Sequence, residues 1–134
     1  MSNPKRIVVA LVGLVVSFLG VTLLALEGGE VVVLHTRTAA GDWRMTRVWV
    51  AEDQGMPLIE VAEPQRPFYL DLLVQPEVRL ERAGRLQTYR VVVLPQPHGH
   101  ERIRARLREK YGWADVWIGW LADTTQSLAI RLET

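Results

Sequence analysis

The chain has 134 residues, 49% of them hydrophobic and 23% charged, which suits one folded domain and excludes a disordered chain. Net charge is +1, and without Lys5 and Arg6 the remainder holds 14 basic against 15 acidic side chains, a balance that argues against a nucleic-acid binder. Cysteine is absent, which excludes disulfides, thiolate nucleophiles and cysteine-ligated metals.

Ile7 to Leu26 is a run of 20 residues without a charge. As a helix it would span about 30 Å, the thickness of a hydrocarbon core. Lys5 and Arg6 precede it and Glu27 and Glu30 follow. The positive-inside rule then predicts a single-pass anchor, residues 1–28, with the N-terminus in the cytoplasm and the remainder outside. Residues 7–26 would contact the lipid bilayer, and residues 31–134 would form the folded domain. Two rivals stand beside this reading. One is a cleaved signal peptide, although the run is long and no small-x-small site follows it. The other is a partly buried element in which Val21 to Leu26 and Val31 to Leu34 are strands about Gly28-Gly29.

Val31 to Thr36 reads as a strand, and Ala39-Ala40-Gly41-Asp42 as a turn. Trp43 to Ala51 is its hairpin partner, with Trp43, Met45, Arg47 and Trp49 on one face. An arginine between Met45 and Trp49 needs a reason. It either snorkels or pairs with a neighbouring carboxylate, or it meets an anion such as phosphate in an aromatic-lined groove. Glu52 to Gly55 turns the chain into a strand at Leu58 to Ala62. Pro67 opens a short helix through Phe68 to Val74, which Pro76 ends. Glu77 to Arg82 and Leu86 to Leu94 form a second hairpin about Ala83-Gly84-Arg85.

His100 to Tyr111 reads as an amphipathic helix with Ile103, Leu107 and Tyr111 inward and Arg102, Arg104, Arg106, Arg108 and Lys110 on a solvated face. Trp113 to Leu121 is a second helical segment. Its tryptophans suit core or dimer packing, with a membrane-interface role as the alternative. Ser127 to Glu133 closes the chain as a strand. His35, His98 and His100 are too few and scattered for a metal site, and the serines lack a nearby His and carboxylate pattern for nucleophilic catalysis. The pattern of strands and helices predicts a mainly β fold with helices (α+β), a small antiparallel barrel of six strands.

The loop Thr36-Arg37-Thr38-Ala39-Ala40-Gly41-Asp42, the strand Arg44-x-x-Arg47-Val48-Trp49-Val50, and the passage from Pro67 through Gln75-Pro76-Glu77-Val78-Arg79-Leu80 together carry a resemblance. So do Arg108 to Gly112 and Ala129 to Glu133. The chain resembles the split β-barrel flavin-binding superfamily, which includes pyridoxamine-phosphate-oxidase-like and deazaflavin-dependent nitroreductase-like proteins. The resemblance spans about residues 31 to 134 and implies a homodimeric six-stranded split barrel. It also implies FMN or a deazaflavin coenzyme near the dimer interface, bound by Thr36, Arg37, Thr38, Arg44, Arg47, Trp49 and Arg66. The loop departs from the family's Gly-Arg-Lys-Ser-Gly-like pattern in lacking the lysine and the serine. The implied activity is that of a membrane-anchored oxidoreductase acting on a quinone-like or nitro-like acceptor. The alternative is a non-catalytic ligand-binding or membrane-complex accessory protein of the same fold.

Overall fold

A computed structural model describes residues 3–134. Helix α1 (Pro4–Glu27) starts where the Asn3 side chain accepts the Lys5 amide at 3.1 Å, with Pro4 in the first turn. It ends where the Gly28 amide reaches the Leu24 carbonyl. The helix is continuous, so Val21 to Leu26 is not a strand. That stretch keeps its helical hydrogen bonds and buries only Ala25. The apolar side chains before it are largely exposed, and the helix is long and apolar enough to cross a membrane.

The sheet is built from β1 (Val31–Arg37), β2 (Trp43–Trp49), β3 (Ala51–Asp53), β4 (Met56–Val61), β5 (Glu77–Arg82), β6 (Arg85–Val93) and β7 (Leu128–Glu133). All pairs are antiparallel, in the order β2-β1-β5-β6-β7-β4-β3. The two edge strands, β2 and β3, are neighbours in sequence with only Val50 between them. The sheet therefore curls until both of its edges belong to one stretch of chain. The single strand expected at Trp43 to Ala51 is divided at Val50, which turns six strands into seven. β2 pairs with β1, Val31 opposite Trp49, and β3 pairs with β4, Ala51 opposite Leu58.

Alternation along these strands makes two cores. Inside the curl lie Val32, Leu34, Val50, Ile59, Leu80 and Ile130, and Phe68 and Leu72 of α2 (Pro67–Val74) plug one end. Outside, Leu58 and Ala129 meet Ile103, Leu107 and Tyr111 of α3 (His98–Tyr111). Ala114 of α4 (Trp113–Leu121) and Ala25 of α1 complete this second layer. Each fully buried aliphatic side chain here contributes about 1.5–3 kcal/mol.

Arg106, Arg108 and Lys110 on α3 are exposed, as expected of a solvated face, but much of the basic face reaches carboxylates of other elements. Arg102 donates to Asp53 at 3.0 Å, Arg104 to Glu60 and Asp115, and Lys110 to Glu30 at 2.6 Å. The end of α1 is tied down by side chains from α4 and β2. The Trp117 indole donates to the Thr22 hydroxyl at 3.0 Å, and its ring lies 5.7 Å from that of Phe18. The Trp49 indole donates to the Leu26 carbonyl at 3.1 Å, satisfying one of the helix's terminal acceptors.

Just beyond α1, the Glu30 carboxylate accepts two hydrogen bonds of 2.9 Å from the Arg82 guanidinium and one from Lys110. The Arg82 hydrogen bond, helped by Lys110 against the cost of burial, lowers the Glu30 pKa from 4.5 to about 2. A depressed carboxylate pKa stabilises the fold fully above 4.5, and that contribution is lost as pH falls toward about 2. Glu30 is about one-third exposed, so solvent screening reduces its worth to about 1–2 kcal/mol. Glu30→Gln is therefore expected to lower the melting temperature at neutral pH. It should also flatten the loss of stability between pH 5 and pH 2, as followed by circular dichroism on the detergent-solubilised chain.

Candidate functional site

A groove of about 550 Å³ opens at the seam of the barrel, where β2 diverges from β4 beyond the Val50 corner. Thr46 and Val48 line it from β2, and Glu60 and the following Ala62 from β4. The last turn of α1 supplies Leu26 and Glu27, the start of α2 supplies Pro67 and Phe68, and α4 supplies Asp115, Ile118 and Gly119. This long apolar helix is thus a wall of the groove.

Four of the seven residues expected to bind a cofactor lie here: Arg44, Arg47, Trp49 and Arg66. Arg47 pairs with Glu27, and both side chains are more than half exposed, at 62% and 52%. Such a pair is worth less than about 1 kcal/mol, so an incoming anion can compete for the guanidinium. Arg44 donates to Asp71 at 2.8 Å, which ties β2 to α2. Arg66 stands at the N-cap of α2, exposed and with no ion pair among the described residues. The Trp49 ring stacks on Tyr111 at 4.2 Å and 7°, which holds it still as one wall.

The other three expected residues lie elsewhere. Thr36 is fully buried and donates to Asp71 at 2.9 Å, sharing that carboxylate with Arg44. Arg37 and Thr38 border a separate depression of about 380 Å³ with Trp43, Gln75 and Glu77. Arg37 donates to the Gly41 carbonyl at 2.6 Å and lies 4.3 Å over the Trp43 ring. Thr38 accepts the Asp42 amide. This loop spends its donors and acceptors on its own turn, consistent with the missing lysine and serine.

A charged network in the wall of the groove carries no flag in the sequence. Arg104 donates to both oxygens of Glu60 at 3.0 Å and both of Asp115 at 2.7 Å, and Arg108 adds 2.9 Å to Asp115. Burial alone would lower the Arg104 pKa, but Glu60 and Asp115 outweigh it and raise the value. The signal available was Asp115 itself, an acid inside the apolar run Trp113 to Leu121, which when buried demands a cation. A second feature also escaped the sequence. His100 Nδ1 lies 2.9 Å from the Ser127 hydroxyl, but Ser127 is fully buried and no carboxylate among the described residues bonds to His100. With Gln96 donating to the Ser127 carbonyl, the pair anchors α3 to β7.

No protein-family model matches the chain, and no curated protein matches it. Solved structures do. An F420-H2 dependent reductase (FDR-A) is 15% identical with a TM-score of 0.58, over 77% of this chain and 93% of that one. A pyridoxamine 5'-phosphate oxidase-like protein from Listeria innocua is 14% identical with a TM-score of 0.55, over 82% and 87%. HutZ, a heme storage protein from Vibrio cholerae, is 14% identical with a TM-score of 0.58, over 81% and 84%. At these identities the likeness is one of fold: residues 31–134 form a split β-barrel like those of these structures.

Asp115→Asn leaves Arg104 with Glu60 alone and removes the partner of Arg108. It is expected to cost about 3 kcal/mol, the lower end of the range for breaking a buried pair, because Glu60 remains. Chemical denaturation of the full chain measures it.

Proposed function

We propose that the chain is a membrane-anchored split-barrel protein that binds FMN or a deazaflavin coenzyme in the seam groove and acts as an oxidoreductase. The observation that carries this reading is the grouping of three guanidiniums, Arg44, Arg47 and Arg66, around one groove beside the start of α2. Guanidinium forks match phosphate geometry, and the first turn of a helix adds backbone donors. The groove volume of about 550 Å³ lies within the roughly 300–1,000 Å³ usual for small-molecule sites, so the group fits by size as well as by charge. The similarity to an F420-H2 dependent reductase and to a pyridoxamine 5'-phosphate oxidase-like protein supports the same choice.

In this reading Arg66 and Arg47 hold the phosphate or acidic tail. Trp49 is held by Tyr111 as a rigid face for the ring system. Arg44 positions the start of α2 through Asp71. The bound cofactor supplies the hydride chemistry, and the chain supplies orientation and charge. Residues 1–28 anchor the domain through the bilayer with the N-terminus cytoplasmic and residues 31–134 outside, and a quinone-like or nitro-like acceptor is the matching partner. The exposed Leu70, Leu73 and Val74 of α2 give a homodimer an apolar contact surface.

A second reading, a non-catalytic ligand-binding or membrane-complex accessory protein, is favoured by the prior engagement of Arg47 with Glu27 and of Trp49 with Tyr111 and Leu26. HutZ, a heme storage protein, shares the fold. An absorbance and fluorescence titration of the full chain in detergent with FMN, a deazaflavin coenzyme and heme separates the two. Saturable binding of either flavin type, weakened about tenfold by Arg66→Ala (about 1.4 kcal/mol) at an unchanged melting temperature, is expected. Binding of heme alone favours the second reading, and no binding of a flavin type removes the first.

A further inference from the structure

Helix α4 descends along α1. Just before α4, at the end of α3, the Tyr111 ring sits so close to Gly29 that a Cβ there would stand 2.8 Å away, and the Tyr111 hydroxyl donates to the Glu30 carbonyl at 2.5 Å. Six residues further on, Trp117 has reached Thr22 and Phe18. Trp120 continues from it, with ring centroids 6.0 Å apart. The chain therefore passes from beyond the end of α1 to a level inside its apolar run.

Length decides what surrounds that level. With Leu26 at the hydrocarbon boundary, Thr22 lies about 6 Å below it and Phe18 about 12 Å below, at 1.5 Å per residue. Raising Thr22 and Trp117 clear of the bilayer would leave only Ile7 to Val21 inside. That is about 22 Å of helix against a core of about 30 Å. The α1 span and a dry α4 are thus incompatible in one rigid arrangement. The surface of α4 agrees with a lipid neighbour: Trp120 is 75% exposed, Trp113 54% and Leu121 49%. Tryptophan is the residue that favours the boundary between headgroups and acyl chains.

We infer that α4 is a second membrane contact, an interfacial helix whose Trp120 and Leu121 enter the boundary region of the bilayer beside α1. The inference rests on α1 spanning the membrane, as in the function proposed above. Its consequence is that one wall of the groove, Ile118 and Gly119, belongs to a helix in contact with lipid. A molecule dissolved in the membrane then meets one wall of the groove at the lipid boundary.

The absence of native cysteine permits a single labelled cysteine at any chosen site. Trp120→Cys and Leu121→Cys test α4, Val12→Cys tests the span, and Ala40→Cys at the far β1–β2 loop is the water-exposed reference. Each full-length variant carries an environment-sensitive fluorophore in phosphatidylcholine–phosphatidylglycerol vesicles. It is then quenched either by a lipid spin-labelled near the headgroup or by a water-soluble quencher. The expected result is lipid quenching at 120 and 121 at least twofold greater than at 40, with aqueous quenching at least twofold less. Labels at 120 and 121 that behave as at 40, while the label at 12 is shielded from water, overturn the inference alone. A label at 12 that is also open to water overturns the span and this inference with it.

Discussion

The backbone of Val50 is the constraint on which the rest depends. At this residue the chain leaves one edge of the sheet and joins the other, so its amide and carbonyl lose the ladder that serves their neighbours. Both groups are buried, and buried backbone groups must find partners. The Val50 amide donates to the Tyr111 hydroxyl at 3.1 Å, and Lys110 donates to the Val50 carbonyl at 2.7 Å. The last two residues of α3 thereby close the barrel. The same Tyr111 hydroxyl donates to Glu30, and its ring supports Trp49, which holds Leu26. Burial of that hydroxyl raises the Tyr111 pKa, so it stays protonated and keeps its donor at neutral pH.

From this corner the charges of α3 act as struts. Arg102 reaches Asp53 on β3, Arg104 joins β4 to α4, and Lys110 joins α3 to the segment after α1. Buried pairs of this kind add little net stability over apolar packing, but they are costly to break and fix how elements meet. Their use here also sorts the arginines of the groove. Arg104 is saturated by Glu60 and Asp115, and Arg44 is held by Asp71, whereas Arg47 and Arg66 keep guanidinium donors open to a ligand.

Element type was legible wherever hydrophobic period and turn residues agreed. The hairpins, the short Pro67 helix and both C-terminal helices lie within two residues of where their patterns place them. The break at Val50 was not legible, because Val48-Trp49-Val50-Ala51 has uninterrupted strand chemistry and the break is imposed by ring closure. The pairing of the α3 arginines with acids of other elements was hidden for a related reason. Helical spacing shows which residues share a face, but not that Asp53, Glu60 and Asp115 lie opposite. For the groove, the sequence found the β2 and α2 contributions and missed those of α1 and α4, which come from more than 15 residues away in the chain. Arg47 fits both of its readings: it has a carboxylate partner in Glu27, and the pair is exposed enough to be exchanged.

The end of α1 has no slack. Only Gly28, Gly29 and Glu30 separate it from β1, and Glu30 is clamped by Arg82 and Lys110 while Gly29 is pressed against Tyr111. Ala25 is fully buried, and Thr22, Leu26 and Glu27 each have a partner on the domain. A helix used only for localisation gains nothing from such docking, since a flexible linker would serve as well. A helix whose last turn forms part of a binding groove requires it, because site geometry must be held by rigid elements. The docking of α1 on the domain is therefore explained by the groove, of which its last turn is a part.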